Sequence, residues 1–330
     1  MSEFIRAFRR LILTGAGGLA VLAAMPGALA QSKYPERTIR IIVPFAAGGA
    51  TDVLARLLAQ NLQEAFAQSV VVENRPGAGS ILGSNVVAKS DPDGYTLLLA
   101  SSAILAAPAL YKSMPYDLSR DLAPIAEVSG GPNIIVANPN AGINSLAEMV
   151  AQAKADPENL YYASPGTGTT PQLAMELLKL RAGIKITHVV YTGAAGAMQS
   201  LAAGTVALGS MALSNITPQV KAGTYKGLAV TSVKRWDDLP DIPTVQESGF
   251  ADFDYETIFG LFAPAATPQP IRDRLTKEIL AALQRPDVRQ RIQNAGMAVL
   301  ARGPEALNAR IAKEVPLYKD IVAKAGIPVN

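Results

Sequence analysis

The stretch VPFAAGGATD, residues 43–52, decides the fold of this chain. The β-branched run that leads into it, residues 39–43, predicts a buried strand. The run that follows, residues 53–62, repeats apolar side chains at helical spacing and predicts a helix. Between the two lies a turn with almost no side chains, and Thr51 or Asp52 is expected to cap the helix. The stretch therefore predicts a strand, a bare turn and a helix in close succession.

Such an arrangement leaves several backbone N–H groups directed at one point, where the helix dipole adds partial positive charge. In open α/β sheets this is also the edge at which ligands bind. The stretch is therefore a candidate anion-binding turn. The alternative is that glycines serve only to close a β–α turn, and a single turn of this kind would favour that interpretation.

The first thirty residues are predicted to be a secretory signal peptide rather than part of the fold. Three arginines occur among the first ten residues, and no charge follows from Leu11 to Ala30. Ala28-Leu29-Ala30 then fits the small-x-small rule for cleavage. A membrane anchor is the competing interpretation, but glycines and Pro26 interrupt a run that barely reaches the roughly 20 apolar residues of a span. We expect export, with the mature protein outside the cytoplasm.

Charge and cysteine content narrow the functional classes. Without its leader, which holds three basic residues and one acidic residue, the chain falls from a formal net charge of +3 to +1. No basic run remains, so neither nucleic acid nor an anionic membrane surface is an expected partner. The chain has no cysteine, so it needs a core large enough to be stable without disulfides. About 300 residues allow that, and they suggest two domains.

The remaining chain alternates strands and helices, which predicts an α/β protein with two mostly parallel sheets flanked by helices. Separate strands are predicted at Ile125–Val128 and Ile134–Val136, on either side of Ser129–Pro132. A second set of β–α units then begins and ends near Gly227–Thr231. Three helices without a sheet of their own close the chain.

These helices are expected to pack on the first domain, so the chain would cross between domains twice. The predicted division is residues 31–128 with 231–330 as domain 1, and residues 129–230 as domain 2. Two crossings imply a hinge, and a hinge implies a ligand cleft between two lobes.

Four β–α turns share the chemistry of the first stretch. They are residues 46–51, 101–102, 164–170 and 193–196, and none of them contains Lys or Arg. Each offers backbone N–H groups, and most add Ser or Thr hydroxyls. If two turns lie in each lobe, they can close on one anionic ligand with helix N-termini facing inward. Small polar residues that merely fill turns are the alternative, which four such turns make less favourable.

Catalytic and cofactor motifs are scarce. SPGTGTTP, residues 164–171, places Pro171 where a dinucleotide fingerprint needs its third glycine, and no P-loop occurs. His188 is the only histidine, so a histidine metal cluster is impossible, and its apolar strand favours a structural role. No cysteine nucleophile and no G-x-S-x-G elbow are present. The sequence therefore predicts neither an enzyme nor a bound cofactor or metal.

Seven motifs together resemble a known family. They are VPFAAGGATD, VVENRPGAGS, DGYTLLLA, YASPGTGTT, VVYTGAAGAMQSLAAG, KGLAVTSVKR and LPDIPTVQESGF, in order along the whole mature chain. They resemble the periplasmic receptors of tripartite tricarboxylate transporters, the Bug family. The resemblance implies a type II periplasmic-binding-protein fold, a small carboxylate ligand and delivery to a large and a small membrane subunit. We expect a monomer.

In that family the loop after the first strand and a glycine-rich loop of the second domain hold the ligand carboxylate, partly through ordered water. Carried over to this chain, the expected ligand-binding residues are Phe45, Ala47, Gly48, Thr51, Asp52, Ser101, Ser102, Ser164, Gly166, Gly168, Thr169, Thr170, Ala194, Ala195 and Asn215. Three positions depart from the family pattern, which often has His at Gln172, Trp at Ile258 and Lys at Thr192. The departures leave the distal end of the ligand undefined.

Asp52 leaves two interpretations open, because a carboxylate near an anionic ligand is repulsive. It either caps the following helix, with a water contact, or reads a hydroxyl or amine of the ligand. Two other functions also compete with transport. One is a ligand-sensing partner of a membrane sensor, and the other is an exported hydrolase, which the missing nucleophile and base disfavour.

Overall fold

The computed structural model describes residues 34–330, so the predicted signal peptide lies outside the described residues. Every element below lies within Arg37–Asn330, which forms one compact unit.

The first half of the chain contains the elements that precede and include the long central strand. They are β1 (Ile39–Val43), α1 (Ala50–Phe66), β2 (Val70–Asn74), a 3-10 turn (Ala78–Ser80), α2 (Ile81–Ala88), β3 (Thr96–Ser101), α3 (Ala103–Leu110), α4 (Leu118–Asp121) and β4 (Leu122–Ala137).

The second half contains a new set of β–α units and then returns to the first. Its elements are a 3-10 turn (Pro139–Ala141), α5 (Leu146–Ala155), β5 (Tyr161–Ser164), α6 (Thr170–Ala182), β6 (Thr187–Val190), α7 (Ala194–Ala202), β7 (Leu208–Ala212), a 3-10 turn (Leu213–Asn215), α8 (Thr217–Lys221), β8 (Lys226–Val230), β9 (Glu256–Pro264), α9 (Gln269–Gln284), α10 (Pro286–Asn294), β10 (Ala298–Arg302) and α11 (Pro304–Lys324).

The central strand corrects one prediction. The two strands expected at 125–128 and 134–136 are one continuous strand, β4, of 16 residues. Gly130, Gly131 and Pro132 suggested a turn, but they pair with β9 across the whole interval. Pairing on neighbouring strands satisfies the backbone there, so tertiary context overrides the local turn signal. The first crossing of the chain is therefore a strand and not a loop.

The strands of the β–α units pair in parallel. The strands that carry the chain between the two sets of units, β4 and β9, pair antiparallel with their neighbours. β1 pairs in parallel with β2 and β3, and β5 pairs in parallel with β6 and β7. β4 and β9 are antiparallel to their neighbours and join these two sets into one path, ordered β2-β1-β3-β9-β4-β7-β5-β6. The sheet is therefore mixed.

The partners of β4 change at its middle. Up to Pro132 it pairs with β9, and from Asn133 it pairs with β7 and β8. A cluster of buried hydrogen bonds lies at this point. Asn133 N–H donates to Thr231 Oγ1 at 2.8 Å, and that hydroxyl donates to Tyr255 O at 2.5 Å. Backbone bonds from Thr231 N to Asn133 O and from Tyr255 N to Thr231 O complete it. Both chain crossings thus run side by side.

The hydrophobic core is shared by both sets of elements. One cluster combines Leu98 and Leu110 of the first set with Tyr162 and Leu173 of the second. A smaller cluster, which includes Ile134, belongs to the second set alone. Helix α6 is buried along most of its length and contacts α11, so this helix is the surface on which the second set packs against the first.

None of the helices described between residues 34 and 330 is both long and apolar enough to cross a membrane.

Candidate functional site

The sheet topology brings the four candidate turns to facing edges. In the first lobe the carboxyl end of β3, Ser101, pairs with Phe259, a few residues from where β9 begins beside Pro132. In the second lobe the carboxyl end of β7, Ala212, lies beside Asn133. Because parallel strands end at the same edge, the ends of β1 and β5 lie on these same edges. The two edges therefore meet across the middle of β4.

Each helix that follows a candidate turn begins with backbone N–H groups that have no partner within residues 34–330. They belong to Ala50, Thr51 and Asp52 of α1, Ile104 of α3, Thr170 and Gln172 of α6, and Ala194 and Ala195 of α7. Free N–H groups and the helix dipole together favour an anion at such a point. Four helix N-termini thus offer donors toward one cleft.

The first-lobe turn is held by Asp52, but not as the expected cap. The N-cap of α1 is Gly49, and Asp52 lies in the first helical turn. Its Oδ2 accepts from Gly48 N at 2.9 Å and from Arg56 Nε at 3.0 Å. Its Oδ1 accepts from Asn74 Nδ2 at 3.0 Å and lies 3.0 Å from Arg56 Nη2. The carboxylate therefore reaches back to the turn from one helical turn beyond the cap position.

Burial alone would raise the pKa of Asp52, which is 3% exposed. The hydrogen bonds from Arg56, Gly48 and Asn74 outweigh that effect and hold the pKa below its ordinary value. Asp52 is therefore ionised at neutral pH, and its charge is matched by a guanidinium. Asn74 also donates to Phe45 O at 3.1 Å, so the same group fixes both ends of the turn.

The two serines at the end of β3 have different roles. Ser102 is buried, its N–H donates to Ile258 O, and its Oγ accepts from Ile258 N at 2.7 Å. That hydroxyl therefore ties β3 to β9. Ser101 is partly exposed, and its Oγ accepts from Ala103 N at 3.4 Å, which leaves its hydroxyl hydrogen available. Of the two predicted residues, Ser101 is the one that can contact a ligand.

The second-lobe turn is held by neutral hydrogen bonds. Ser164 Oγ lies 2.7 Å from His188 Nε2 and 3.3 Å from Gly166 N. Thr169 Oγ1 donates to Gly166 O at 2.7 Å. Gln172 Oε1 accepts from Gly168 N at 2.7 Å, where the family often has His. Side chains within and directly behind the loop thus fix its backbone without any ion pair.

His188 supports this turn through its contact with Ser164. Its ring stacks on Tyr162 with centroids 4.7 Å apart. Burial lowers the pKa of His188 to about 4, although Glu176 acts in the opposite direction. The ring is therefore neutral at pH 7. Ser164 is fully buried, so its hydroxyl is closed off from solvent and bonds to His188 instead.

The predicted ligand-binding residues differ in accessibility. Ala47, Gly48, Ala195 and Asn215 are exposed. Ser102, Ser164, Gly168 and Thr170 are buried, and Phe45, Ser101, Gly166, Thr169 and Ala194 are intermediate. Thr51 and Thr170 are mostly buried, but their hydroxyls have no hydrogen-bond partner within residues 34–330. Thr51 on α1 and Thr170 on α6 therefore offer equivalent free hydroxyls at the first turn of two helices.

Three glycines in these turns, Gly48, Gly166 and Gly193, have positive φ and room for a Cβ, and at Gly48 and Gly193 the Cβ would meet no atom within 4 Å. Gly48 has φ +85°, and a Cβ there would meet no atom within 4 Å. Gly166 has φ +153°, and a Cβ would come no closer than 3.5 Å to the protein. By contrast, a Cβ at Gly168 would overlap Leu110 of α3. Gly168 therefore lies directly against the side chain of Leu110, whereas Gly48 faces free space and Gly166 has room for a Cβ at ordinary contact distance.

Sequence reasoning missed the supporting residues Arg56 and Asn74. Arg56 is the only basic residue between positions 41 and 74, and it follows Asp52 by one helical turn, a spacing that favours an ion pair. Asn74 ends β2, and the register Val43↔Asn74 places it beside the end of β1. The spacing of Asp52 and Arg56 was visible in the sequence. The position of Asn74 beside the turn could be found only from the pairing of β1 with β2.

Comparison with known proteins places this architecture in a class and then in a family. Two solved structures share the fold over most of this chain: the R. palustris protein Rpa4515 with adipate (TM-score 0.79, 32% identity, 90% of this chain and 100% of that one) and MatC from Rhodopseudomonas palustris with bound malate (TM-score 0.75, 31% identity, 88% and 100%). The class is that of two-lobed periplasmic solute-binding proteins with the type II fold.

The sequence profile of the tripartite tricarboxylate transporter family receptor matches residues 54–327. Protein BugT of Bordetella pertussis is 34% identical over 317 residues, which cover 96% of this chain and 97% of that protein. The chain belongs to the tripartite tricarboxylate transporter receptor family. The resemblance found in the sequence motifs and the expected α/β two-lobed fold are both confirmed.

Proposed function

We propose that this receptor captures a small carboxylate between its lobes, and that four helix N-termini hold the anion. The observation that supports this is the set of free N–H groups at α1, α3, α6 and α7 on the two facing edges. The four turns contain no Lys or Arg, so backbone donors and dipoles supply most of the attraction. The carboxylates bound by Rpa4515 and MatC are ligands of the same chemical kind.

Seven of the expected residues have groups left to bind a ligand, among them Asp52 through its backbone N–H. Ala47, Ala194 and Ala195 offer backbone N–H, and Thr51, Ser101 and Thr170 offer hydroxyls. Net hydrogen bonds to a charged group contribute about 1.5–3 kcal/mol each, and micromolar affinity requires about 8 kcal/mol. A handful of these donors is enough after the cost of association. The remaining expected residues shape the turns, with Asn215 at the exposed end of β7.

Binding is accompanied by closure of the two lobes in this proposal. The lobes are the two domains predicted from the sequence, residues 31–128 with 231–330 and residues 129–230, except that residues 129–132 pair with β9 and move with the first lobe. Bending occurs where β4 changes partners, between Pro132 and Asn133, and at the adjacent Thr231. A ligand shifts this equilibrium only through better contacts in the closed form. Small-angle scattering with adipate should show a smaller radius of gyration than without it, and an unchanged radius in a receptor that binds adipate would argue against closure.

The remaining parts of the proposal concern location and partners. The chain is exported, cleaved near Ala30, and delivers its ligand as a monomer to a large and a small membrane subunit. It uses no cofactor and no metal, performs no catalysis and does not bind nucleic acid. Intact-mass analysis of the exported protein tests the cleavage. Uptake that persists after deletion of the membrane subunits would instead favour the sensing function.

Titration calorimetry with adipate and malate tests the site itself. Gly48→Val and Gly166→Val should each lower affinity by more than about tenfold, because a side chain at positive φ strains the turn, and at position 48 it also projects where no protein atom lies. Gly183→Val is the matched control, since Gly183 also has positive φ in open space but lies at the far end of α6. Binding that survives both site variants would refute the proposed anchoring.

A further inference from the structure

The turn between α10 and β10 lies directly against a turn of the other proposed lobe. A Cβ added at Gly296 would come within 2.7 Å of Ser214 Cα and 3.2 Å of Ser214 O. Ser214 belongs to the 3-10 turn that follows β7, next to the predicted ligand-binding residue Asn215. Because two of these nearest atoms are backbone atoms, no side-chain rotation can make room for a Cβ. The two backbones therefore approach as closely as a glycine permits.

The strand register explains why these two turns meet. β10 and β7 are both antiparallel to β4, and their terminal pairs lie at Gly130 and Asn133 of that strand. The chain that leads into β10 and the chain that leaves β7 thus converge on the short interval between those two residues. β4 changes partners in the same interval. The contact therefore lies beside the proposed hinge, where a small separation of the backbones becomes a larger one at the mouth of the cleft.

Helix termination does not by itself explain this contact. Gly296 has φ +75° and follows the end of α10, a position at which helices commonly have glycine. Gly326 occupies the same position after α11 and has φ +64°. In both turns the glycine follows an alanine, and the next residue donates its N–H to the carbonyl five residues earlier. A Cβ at Gly326 would nevertheless meet no atom within 4 Å. Of these two equivalent glycines, only Gly296 has the backbone of another turn packed against it.

A second contact between the proposed lobes lies at Gly168. This glycine belongs to the turn that follows β5, and the absence of a Cβ leaves room for the side chain of Leu110 at the end of α3. β5 and β7 are parallel neighbours, so the turns that contain Gly168 and Ser214 lie at one edge of the second lobe. Both contacts must break when that edge moves away from the first lobe. The geometry therefore places both contacts in the closed arrangement of the lobes.

We propose that Gly296 is a positioning residue for ligand capture: its contact with Ser214 is the stop against which the lobes close, and it sets the width of the closed cleft. This inference rests on the proposed function, in which closure accompanies binding. Gly296 acts through the distance between the lobes and not through contact with the ligand. A side chain at this position holds the lobes apart, so the donors on the two edges no longer reach one anion together.

The test compares Gly296→Asn with the matched control Gly326→Asn. Asparagine tolerates positive φ better than most residues with a Cβ, so both variants add the new atom with little backbone strain. The probe is the best-bound member of a panel of succinate, glutarate, adipate and malate. Affinity for it should fall at least about tenfold in Gly296→Asn, mainly through faster dissociation. It should change less than about twofold in Gly326→Asn.

Two further measurements separate this role from a general loss of stability. Small-angle scattering at saturating ligand should give a larger radius of gyration for Gly296→Asn than for Gly326→Asn. Ser214→Val enlarges the other side of the contact and leaves both helix-ending glycines in place, so it covers the case in which Gly296→Asn does not fold. Stopped-flow measurements should show faster ligand dissociation from Ser214→Val than from the unmodified receptor.

The outcomes distinguish the two proposals. An unmodified receptor that binds no member of the panel refutes the proposed function and this inference with it. A receptor that binds the probe, but loses no more affinity in Gly296→Asn than in Gly326→Asn, refutes the inference alone. Tighter binding by Gly296→Asn also refutes it, because the contact would then limit opening of the lobes and not their closure.

Discussion

The two best-defined turns of the cleft both present free backbone N–H groups, but different interactions fix their backbones. The first-lobe turn, residues 44–52, is mostly exposed and is fixed by an ion pair between Asp52 and Arg56. The second-lobe turn, residues 164–172, is largely buried and is fixed by neutral groups, among them the Ser164–His188 contact. Burial explains the difference, because a charge pair is tolerated where one partner remains in water and is costly inside.

This contrast shows that turns with similar sequences are not equivalent parts of a site. Both supply free N–H groups at a helix start, but their stability depends on different interactions. The first turn should respond to changes of charge, and the second to changes of volume and of pH.

The largest effect should come from Gly168→Ala. A methyl group there would overlap Leu110, and Gly168 has φ +76°, so overpacking and backbone strain add to a loss of about 3 kcal/mol in unfolding free energy. Gly48→Ala, in open space, should cost only about 1 kcal/mol, from strain alone. Urea unfolding measures both. Leu110→Ala, at a buried core site, should cost less in the Gly168→Ala background than in the unmodified protein, and an equal cost in both would show that the overlap is not the cause.

Next in size is the removal of the side chains that hold each turn. Asp52→Ala leaves Gly48 N–H and Arg56 without their acceptor and should cost about 2 kcal/mol, reduced by the solvent exposure of Arg56. Gln172→Ala removes one neutral acceptor for Gly168 N–H and should cost about 1 kcal/mol. If Gln172→Ala were the more destabilising in urea unfolding, the proposed difference between the turns would be wrong.

A smaller effect should appear as the pH is lowered. The pKa of His188 is about 4 in the folded protein and near 6.5 when unfolded. The unfolded chain therefore binds the extra proton first, so stability is retained above pH 6.5 and lost as the pH falls toward 4. Because His188 is partly exposed, the loss should be about 1–2 kcal/mol after solvent screening. His188→Gln should remove this component from the pH profile of unfolding, and an unchanged profile would contradict the assignment.

The smallest effect should be that of salt on binding. If N–H groups and dipoles hold the ligand, affinity for adipate should change less than about threefold between roughly 50 and 500 mM salt, since sheltered groups are weakly screened. Calorimetry over a salt series measures this. A steep decline would mean that exposed cations, such as Arg56, contribute directly to ligand attraction.

Several predictions needed only the sequence. The strand, turn and helix around residues 43–52 were predicted because β-branched runs, a side-chain-poor turn and helical periodicity are local signals. Ser145 shows the same kind of local signal, because it lies directly before α5 and its Oγ accepts from Glu148 N at 3.1 Å as the N-cap of that helix. Helix α3 and strand β10 were missed, since neither carries a clear periodic pattern.

The continuous strand β4 was decided by tertiary structure. Its Ser-Gly-Gly-Pro segment has the composition of a turn, but β9 and β10 supply hydrogen-bond partners on both sides. Both partner strands lie more than 100 residues further along the chain. Local sequence patterns around the segment therefore cannot reveal that it pairs with them.

The sequence by itself determined which groups could bind an anion, because free N–H groups at helix starts follow from local structure. Tertiary structure decided which of these groups remain available. Ser102, Ser164 and Asp52 were reasonable candidates by type, and each is occupied by a partner from another element: Ile258, His188 and Asn74. A polar side chain satisfies its hydrogen bonds with whatever the fold brings near it, and long-range packing alone determines that neighbour.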